Sequence, residues 1–320
     1  MNTDEVSQPH LAGGWGTKSM PDQTGKSFLI TGGTSGLGLE VAKALVNHGG
    51  NVTITARSES KAIDAMKVSG AQDCIALDLC DLASIHSAAK LVTATYDVVF
   101  LNAGIMATPF NKTVDGFESQ LGTNHLGHFA FAGLIQKFIG NRLVVTSSLA
   151  ARMGTFGDRS KDEIRDRCRG IGRYSPWASY GDSKLANLLF IHELERRRIR
   201  AGKGFVPLAA HPGVARTNLA KGAAGMRQFT GVALMEKISS AVFGLISQSA
   251  ERGALPLLCA ATLPGINHTA FVGPSGFLNL KGSPSFTHSK ALAYDPVLAS
   301  ALWQVSEELT GVTWEDSAYA

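Results

Sequence analysis

The sequence predicts an α/β protein, a doubly wound and mainly parallel sheet of seven strands with helices on both faces. Three observations predict it. Short runs rich in apolar and β-branched residues alternate with stretches of helical periodicity from Lys26 to Ala210. Most of those runs are apolar on both sides, as suits strands covered on both faces. A glycine-rich turn, Thr31-Gly32-Gly33-Thr34-Ser35-Gly36-Leu37-Gly38, falls between the first run and the first helical stretch. Glycines there let the backbone approach a pyrophosphate, and the helix N-terminus offers it free N–H groups and a positive dipole end.

The first strand is Lys26–Ile30, bounded by Gly25, and Leu39–His48 is helical up to a Gly49-Gly50 stop. Asn51–Arg57 is a second strand, alternating and β-branched. A helical stretch runs from Ser60, and Cys74–Leu79 is a third strand. Leu82–Val92 is helical, and Asp97–Asn102 is a fourth strand ending at Ala103-Gly104. Helical pattern resumes from Phe117 to Phe138, and a fifth strand, Arg142–Ser148, follows. Ser175–Arg198 is a long helix; Arg196, Arg197 and Arg198 complement the dipole as a solvated C-terminal end. The sixth strand is Phe205–Ala210, broken by His211-Pro212-Gly213. The last third holds one or two apolar helices, about 232–249 and 251–261, and a short seventh strand, Ala270–Gly273. No linker divides the chain: residues 1–24 are a polar extension and 25–320 a single domain.

At 320 residues, with 44% hydrophobic and 18% charged positions, the chain can bury a substantial core. The net charge of +4 is mild and no Lys/Arg block stands away from a helix end, so nucleic acid is not an expected partner. No stretch approaches a membrane span and no signal pattern opens the chain, so the expected location is cytoplasmic. Cys74, Cys80, Cys168 and Cys259 lack metal spacing. His125 and His128 share a helix without a third ligand, and His192-Glu193 lacks the second histidine of a zinc helix because position 196 is Arg, so no metal is expected.

Tyr180 and Lys184 stand four apart on the long helix, hence on one face. An ammonium beside a phenol favours the phenolate, which lowers the tyrosine pKa and yields a general acid or base near neutral pH.

Together these residues resemble the short-chain dehydrogenase/reductase family, over roughly Lys26 to Gly276. Thr31-Gly32-x-x-x-Gly36-x-Gly38 matches the family's cofactor turn, with Thr34, Ser35 and Leu37 inside it. Asp78, followed by Leu79, matches its adenine-contacting aspartate, and Asn102-Ala103-Gly104 its strand-four motif. Asn124, Ser148, Tyr180 and Lys184 fall where the family carries its catalytic tetrad. Pro212-Gly213-Val214-x-x-Thr217 matches the segment that contacts the nicotinamide amide. The resemblance implies a Rossmann fold and a role for each residue. Tyr180 passes a proton to or from the substrate oxygen, and Ser148 orients that oxygen. Lys184 holds the nicotinamide ribose and depresses the Tyr180 pKa, and Asn124 holds a water linking Lys184 to solvent. Of the pair Ser147 and Ser148, the pattern makes the second catalytic.

Arg57 closes the second strand, with no acid before Glu59. An Asp or Glu there serves the 2′-hydroxyl of NAD, whereas Arg accommodates a 2′-phosphate, so NADP(H) is the expected cofactor, with Ser35 a helper. Between Ser148 and Tyr180 lie 31 residues, far more than in compact members. That insertion, with the segments around Asn124, Ser183 and His211, is similar to the branch of retinol dehydrogenases, protochlorophyllide reductases and WW-domain-containing oxidoreductase, which implies a bulky apolar carbonyl or alcohol substrate. The insertion, about 153–175, and a helical segment, about 217–249, are expected as substrate lids, lined by Phe156, Trp177, Leu219, Met226 and Phe229. The alternatives are reduction of a conjugated C=C bond and a non-catalytic NADP sensor. Sugar-nucleotide epimerases share the Tyr/Lys pair but differ in glycine spacing. The resemblance leaves room for a homo-oligomer.

Overall fold

The structure, a computed structural model, describes residues 8–9, 11, 14–201, 204–215 and 247–314. Its centre is an eight-stranded sheet in the order β3-β2-β1-β4-β5-β6-β7-β8. The strands are β1 Ser27–Ile30, β2 Asn51–Ala56, β3 Asp73–Ala76, β4 Tyr96–Leu101, β5 Ile139–Thr146, β6 Val206–Ala210, β7 Phe271–Pro274 and β8 Pro284–Phe286. All pair in parallel except β8, which runs antiparallel to β7. The expected seventh strand is therefore not the edge. Three residues opening on a proline give β8 no periodicity to read, and a proline strand start fits an edge, where its missing N–H costs nothing.

The helices are α1 Gly36–Asn47, α2 Glu59–Ser69, α3 Leu82–Leu91, α4 Ser119–Leu121, α5 Gly127–Leu134, α6 Lys161–Arg169, α7 Pro176–Ala201, α8 Ala250–Thr262 and α9 Pro296–Thr310. Alternation along the central strands splits the core in two. Phe28, Ile30, Val98, Phe100 and Val144 face one side with α1 and α8. Leu29, Val99, Leu101, Leu143 and Val145 face the other with α3, α5, α7 and α9. Period two in strands buried on both faces makes this a doubly wound Rossmann fold.

Three regions depart from the expectations. The polar extension contributes buried Trp15 and Met20 to the first core. The helix expected over 117–138 is interrupted by a π-helical turn, Gly122–Leu126, between α4 and α5. The arginines ending α7 are not simply solvated. Arg196 and Arg197 pair with Glu193, which is buried, and Arg198 pairs with Glu195. Arg197 also lies over the Trp303 ring at 4.3 Å. Fully buried Trp303 packs among Phe129, Phe190 and Trp314, and so holds α9 against α5 and α7. The helix expected over about 232–249 and the lid segment 217–249 lie outside the described residues up to 246; 247–249 are not helical, and Gln248 forms a bridge with Ala215.

Candidate active site

The strand order reverses between β1 and β4, and ligands of open α/β sheets bind beyond the carboxyl ends of the strands at such a point. There the glycine turn is sewn to the exit of β4. The Thr31 N–H donates to Phe100 O at 3.0 Å, while the Thr31 hydroxyl accepts the amides of Asn102 (2.8 Å) and Ala103 (3.1 Å). Asn102 Nδ2 donates to Thr31 O at 3.0 Å. Gly36 opens α1 at φ 55, a left-handed conformation that favours glycine. A side chain at Gly38 would collide with Gly32 O. The N-cap of α1, Ser35, makes no side-chain cap bond, so that hydroxyl does not satisfy the first-turn amides.

Beyond the turn is a cavity of about 340 Å³. Of the residues singled out in the sequence, Gly32, Thr34, Ser35, Gly36, Leu37, Arg57, Asp78, Leu79, Asn102, Ala103, Gly104, Tyr180, Lys184 and Pro212 line it. Gly38, Asn124, Ser148, Gly213 and Val214 do not, and Thr217 lies outside the described residues. The walls fit an adenine dinucleotide on this structure's own terms. Asn102 Oδ1 and Thr146 Oγ1 are buried without a protein partner, on residues that line the cavity. The uncapped start of α1 suits a pyrophosphate, and exposed Arg57 adds a cation at the end of β2. Sequence reading missed Thr55, Cys80, Ile105 and Thr123 in this wall; Cys80 Sγ lies 3.0 Å from Thr123 Oγ1.

On α7, Lys184 Nζ donates to Thr146 O at 3.1 Å and sits 5.8 Å from the Tyr180 ring centroid. Both side chains are buried. Burial pushes Lys184 down to about 8. It also raises the Tyr180 phenol above its usual value, and the Ser148 hydroxyl opposes that rise. The expected lowering of Tyr180 is thus corrected: desolvation of the buried phenol dominates and raises its pKa. The serine pair separates cleanly. Ser148 meets the Tyr180 phenol, whereas the Ser147 hydroxyl donates to Lys184 O at 2.8 Å.

Asn124 sits in the π-helical turn, and protein engages both ends of its amide. Oδ1 accepts from Ile105 N at 2.8 Å, and Nδ2 donates to Ile105 O and Ser183 Oγ, each at 2.9 Å. The side chain clamps the loop leaving β4 onto α7. Gly104 fits between: a Cβ there would lie 2.9 Å from Asn124 Oδ1 and 3.5 Å from Lys184 Nζ.

The insertion 153–175 is tied to the rest of the fold by buried side chains and an ion pair. Phe156, Ile164 and Cys168 are fully buried, so Phe156 is core and not a cavity wall. Asp182 accepts the Thr155 and Phe156 amides and pairs with Arg167 at 2.9 Å, tying the insertion to α7. Trp177, 39% exposed, meets the Tyr180 ring edge-on at 6.1 Å. Leu219, Met226 and Phe229 lie outside the described residues. Among the described residues no cluster of metal-ligating side chains occurs, and no helix is long and apolar enough to cross a membrane.

A family profile described as short chain dehydrogenase matches residues 26–159. Human retinol dehydrogenase 12 is 32% identical over 306 residues, covering 91% of this chain and 88% of that protein. The short-chain dehydrogenase TIC 32 B, chloroplastic, of Brassica napus is 31% identical over 88% of this chain and 87% of its own. A crystal structure of an uncharacterized protein from Mycobacterium Paratuberculosis superposes with a TM-score of 0.78 at 35% identity, over 95% of this chain and 100% of that one. A short chain dehydrogenase from Burkholderia cenocepacia in complex with NADP, 22% identical with a TM-score of 0.54 over 76% of this chain and 93% of that one, shares the fold. The chain belongs to the short-chain dehydrogenase/reductase family, with retinol dehydrogenases among its relatives.

Proposed function

We propose that this protein is an NADP(H)-dependent oxidoreductase that interconverts a carbonyl and an alcohol on a bulky apolar substrate, with Tyr180 as general acid and base. The reading rests on one observation: a single cavity is lined at once by the start of α1, by Arg57 and by the Tyr180/Lys184 pair. When bound, the nicotinamide supplies or accepts the hydride. The chain's own residues do the rest. Gly32, Gly36 and the first turn of α1 would receive the pyrophosphate, Asp78 would serve the adenine, and Pro212, Gly213 and Val214 would serve the nicotinamide amide, the role the sequence also assigns to Thr217. Tyr180 holds its proton through neutral pH, because burial raises its pKa, and delivers it to the carbonyl oxygen. Ser148 aligns that oxygen, and Lys184 holds the ribose. Exposed Trp177 beside the Tyr180 ring offers an apolar wall to the substrate.

Arg57 decides the cofactor in this reading. It is exposed and free to turn toward a 2′-phosphate at the end of β2. Losing a charge-assisted contact costs ~1.5–3 kcal/mol, or roughly 10- to 100-fold in affinity. Calorimetric titration of NADPH and NADH into wild-type and Arg57→Ala protein tests this. The expected result is tight NADPH binding that weakens selectively in the variant. Equal weakening of both cofactors would remove the 2′-phosphate role, and absence of binding to the wild-type protein would remove the functional reading itself.

A further inference from the structure

His128 is buried in α5, outside the cavity wall, yet both its ring nitrogens are engaged with residues of the site. Nδ1 lies 3.1 Å from the main-chain carbonyl of Asn124, one turn earlier in the π-helical segment. Nε2 lies 2.9 Å from the hydroxyl of Thr31, the residue that opens the glycine turn. A carbonyl only accepts, so Nδ1 must carry the proton. Burial, with Lys184 and His125 nearby, pushes the imidazole down to about 3, so the ring is neutral and Nε2 is an acceptor. Thr31 must then donate to Nε2, and its oxygen is left to accept the Asn102 and Ala103 amides. Phe100 O, which also accepts the Thr31 N–H, is a second acceptor for that hydroxyl at 3.1 Å, farther than Nε2 at 2.9 Å. The result is one directed chain: Asn102 and Ala103 amides to Thr31, Thr31 to His128, and His128 to the carbonyl of Asn124.

We infer that His128 is a positioning residue that couples the cofactor turn at Thr31 to the Asn124 segment packed against Lys184. The inference rests on the proposed oxidoreductase reading. The coupling runs through hydrogen bonds in a water-poor interior, where the loss of one leaves a polar atom unsatisfied. The Asn124 carbonyl that the His128 ring meets belongs to the π-helical turn between α4 and α5. Each arm holds a different part of the site. The Nε2 arm fixes the turn that receives the pyrophosphate, and the Nδ1 arm fixes the clamp that sets the loop after β4 beside Lys184.

Three substitutions separate the arms. In His128→Asn the amide nitrogen replaces Nδ1 and keeps the Asn124 bond, whereas in His128→Gln the terminal amide replaces Nε2 and keeps the Thr31 bond. His128→Phe keeps the ring and loses both. NADPH affinity by calorimetry, and kcat with KM on a carbonyl compound turned over by the wild-type protein, are the readouts. His128→Phe should lose about tenfold in each of NADPH affinity and kcat. His128→Asn should regain kcat without affinity, and His128→Gln affinity without kcat. A merely structural histidine would lower the unfolding temperature of all three alike, with no such split, and that result overturns the inference. Nitrogen NMR of the intact wild-type protein is independent of any variant's folding: a neutral Nδ1–H tautomer between pH 5 and 8 is expected, and an Nε2–H tautomer overturns it. Should the wild-type protein neither bind NADPH nor turn over any carbonyl, the functional reading fails; the NMR result still judges the hydrogen-bonded chain alone.

Discussion

Tyr180→Phe should lower turnover by ~10²–10⁴ while leaving NADPH affinity nearly unchanged. The substitution keeps the buried ring and its edge-on contact with Trp177, and removes only the hydroxyl that meets Ser148. Packing is therefore preserved, and any loss reports on the proton. The direction of the pKa shift adds a second expectation. A phenol held above its usual value stays protonated through neutral pH, so carbonyl reduction should persist there. Alcohol oxidation needs the phenolate and should rise with pH as the proton is released. Steady-state rates in both directions across pH check this. Retention of most activity by the variant would exclude Tyr180 as the proton donor.

Lys184→Met should abolish turnover, weaken NADPH binding by roughly 10- to 100-fold, and yet make the fold more stable at neutral pH. Burial moves the Lys184 pKa from 10.5 to about 8, a shift of about 2.5 units that corresponds to roughly 3 kcal/mol of cost for keeping the ammonium inside. Loss of the bond to Thr146 O returns about 1 kcal/mol of that, and the same carbonyl still accepts from Asn187 Nδ2 at 3.1 Å. A net gain of about 1–2 kcal/mol remains. The sign follows from proton counts. Between pH 8 and 10.5 the unfolded chain binds more protons at this lysine than the folded one, so wild-type stability rises with pH there. Below pH 8 the cost is fully present; near pH 10.5 it is gone. Denaturant unfolding of both proteins at pH 7 and pH 10 should show the variant's advantage at pH 7 and its loss at pH 10. A variant less stable at pH 7 would mean that the ammonium is not held at a cost.

Such a cost is the signature of a residue kept for function, and it marks where sequence reading ends. The glycine turn, Asp78, the Asn102 to Gly104 motif and the Tyr180/Lys184 spacing are local patterns, and the parallel sheet brings them to one cavity. Burial is not local: it raises the Tyr180 pKa, opposite to the expected direction, and the Ser148 hydrogen bond only opposes that rise. Cys80 and Thr123 meet only because the exit of β3 lies beside the π-helical turn. The insertion reads as charged from composition, with no element assigned to it. Its signals were nevertheless present: Ser160 caps α6 by accepting from Glu163 N, Gly170 ends it in the left-handed region, and Ile164 and Cys168 are spaced to face inward together. The same holds for α9, with Asp295 as N-cap, Pro296 in the first turn and Gly311 past the end. The engagement of the Asn124 amide with Ile105 and Ser183 depends on contacts no spacing encodes.

The central claim is that this chain moves a hydride between NADP(H) and a carbonyl carbon. Isotope transfer tests it most directly: the purified protein is incubated with NADPH deuterated at the nicotinamide C4 and a panel of bulky apolar aldehydes and ketones. The expected result is deuterium on the carbinol carbon of at least one product, lost in Tyr180→Phe. No deuterium in any alcohol product, from wild-type protein shown to bind NADPH, would contradict the account.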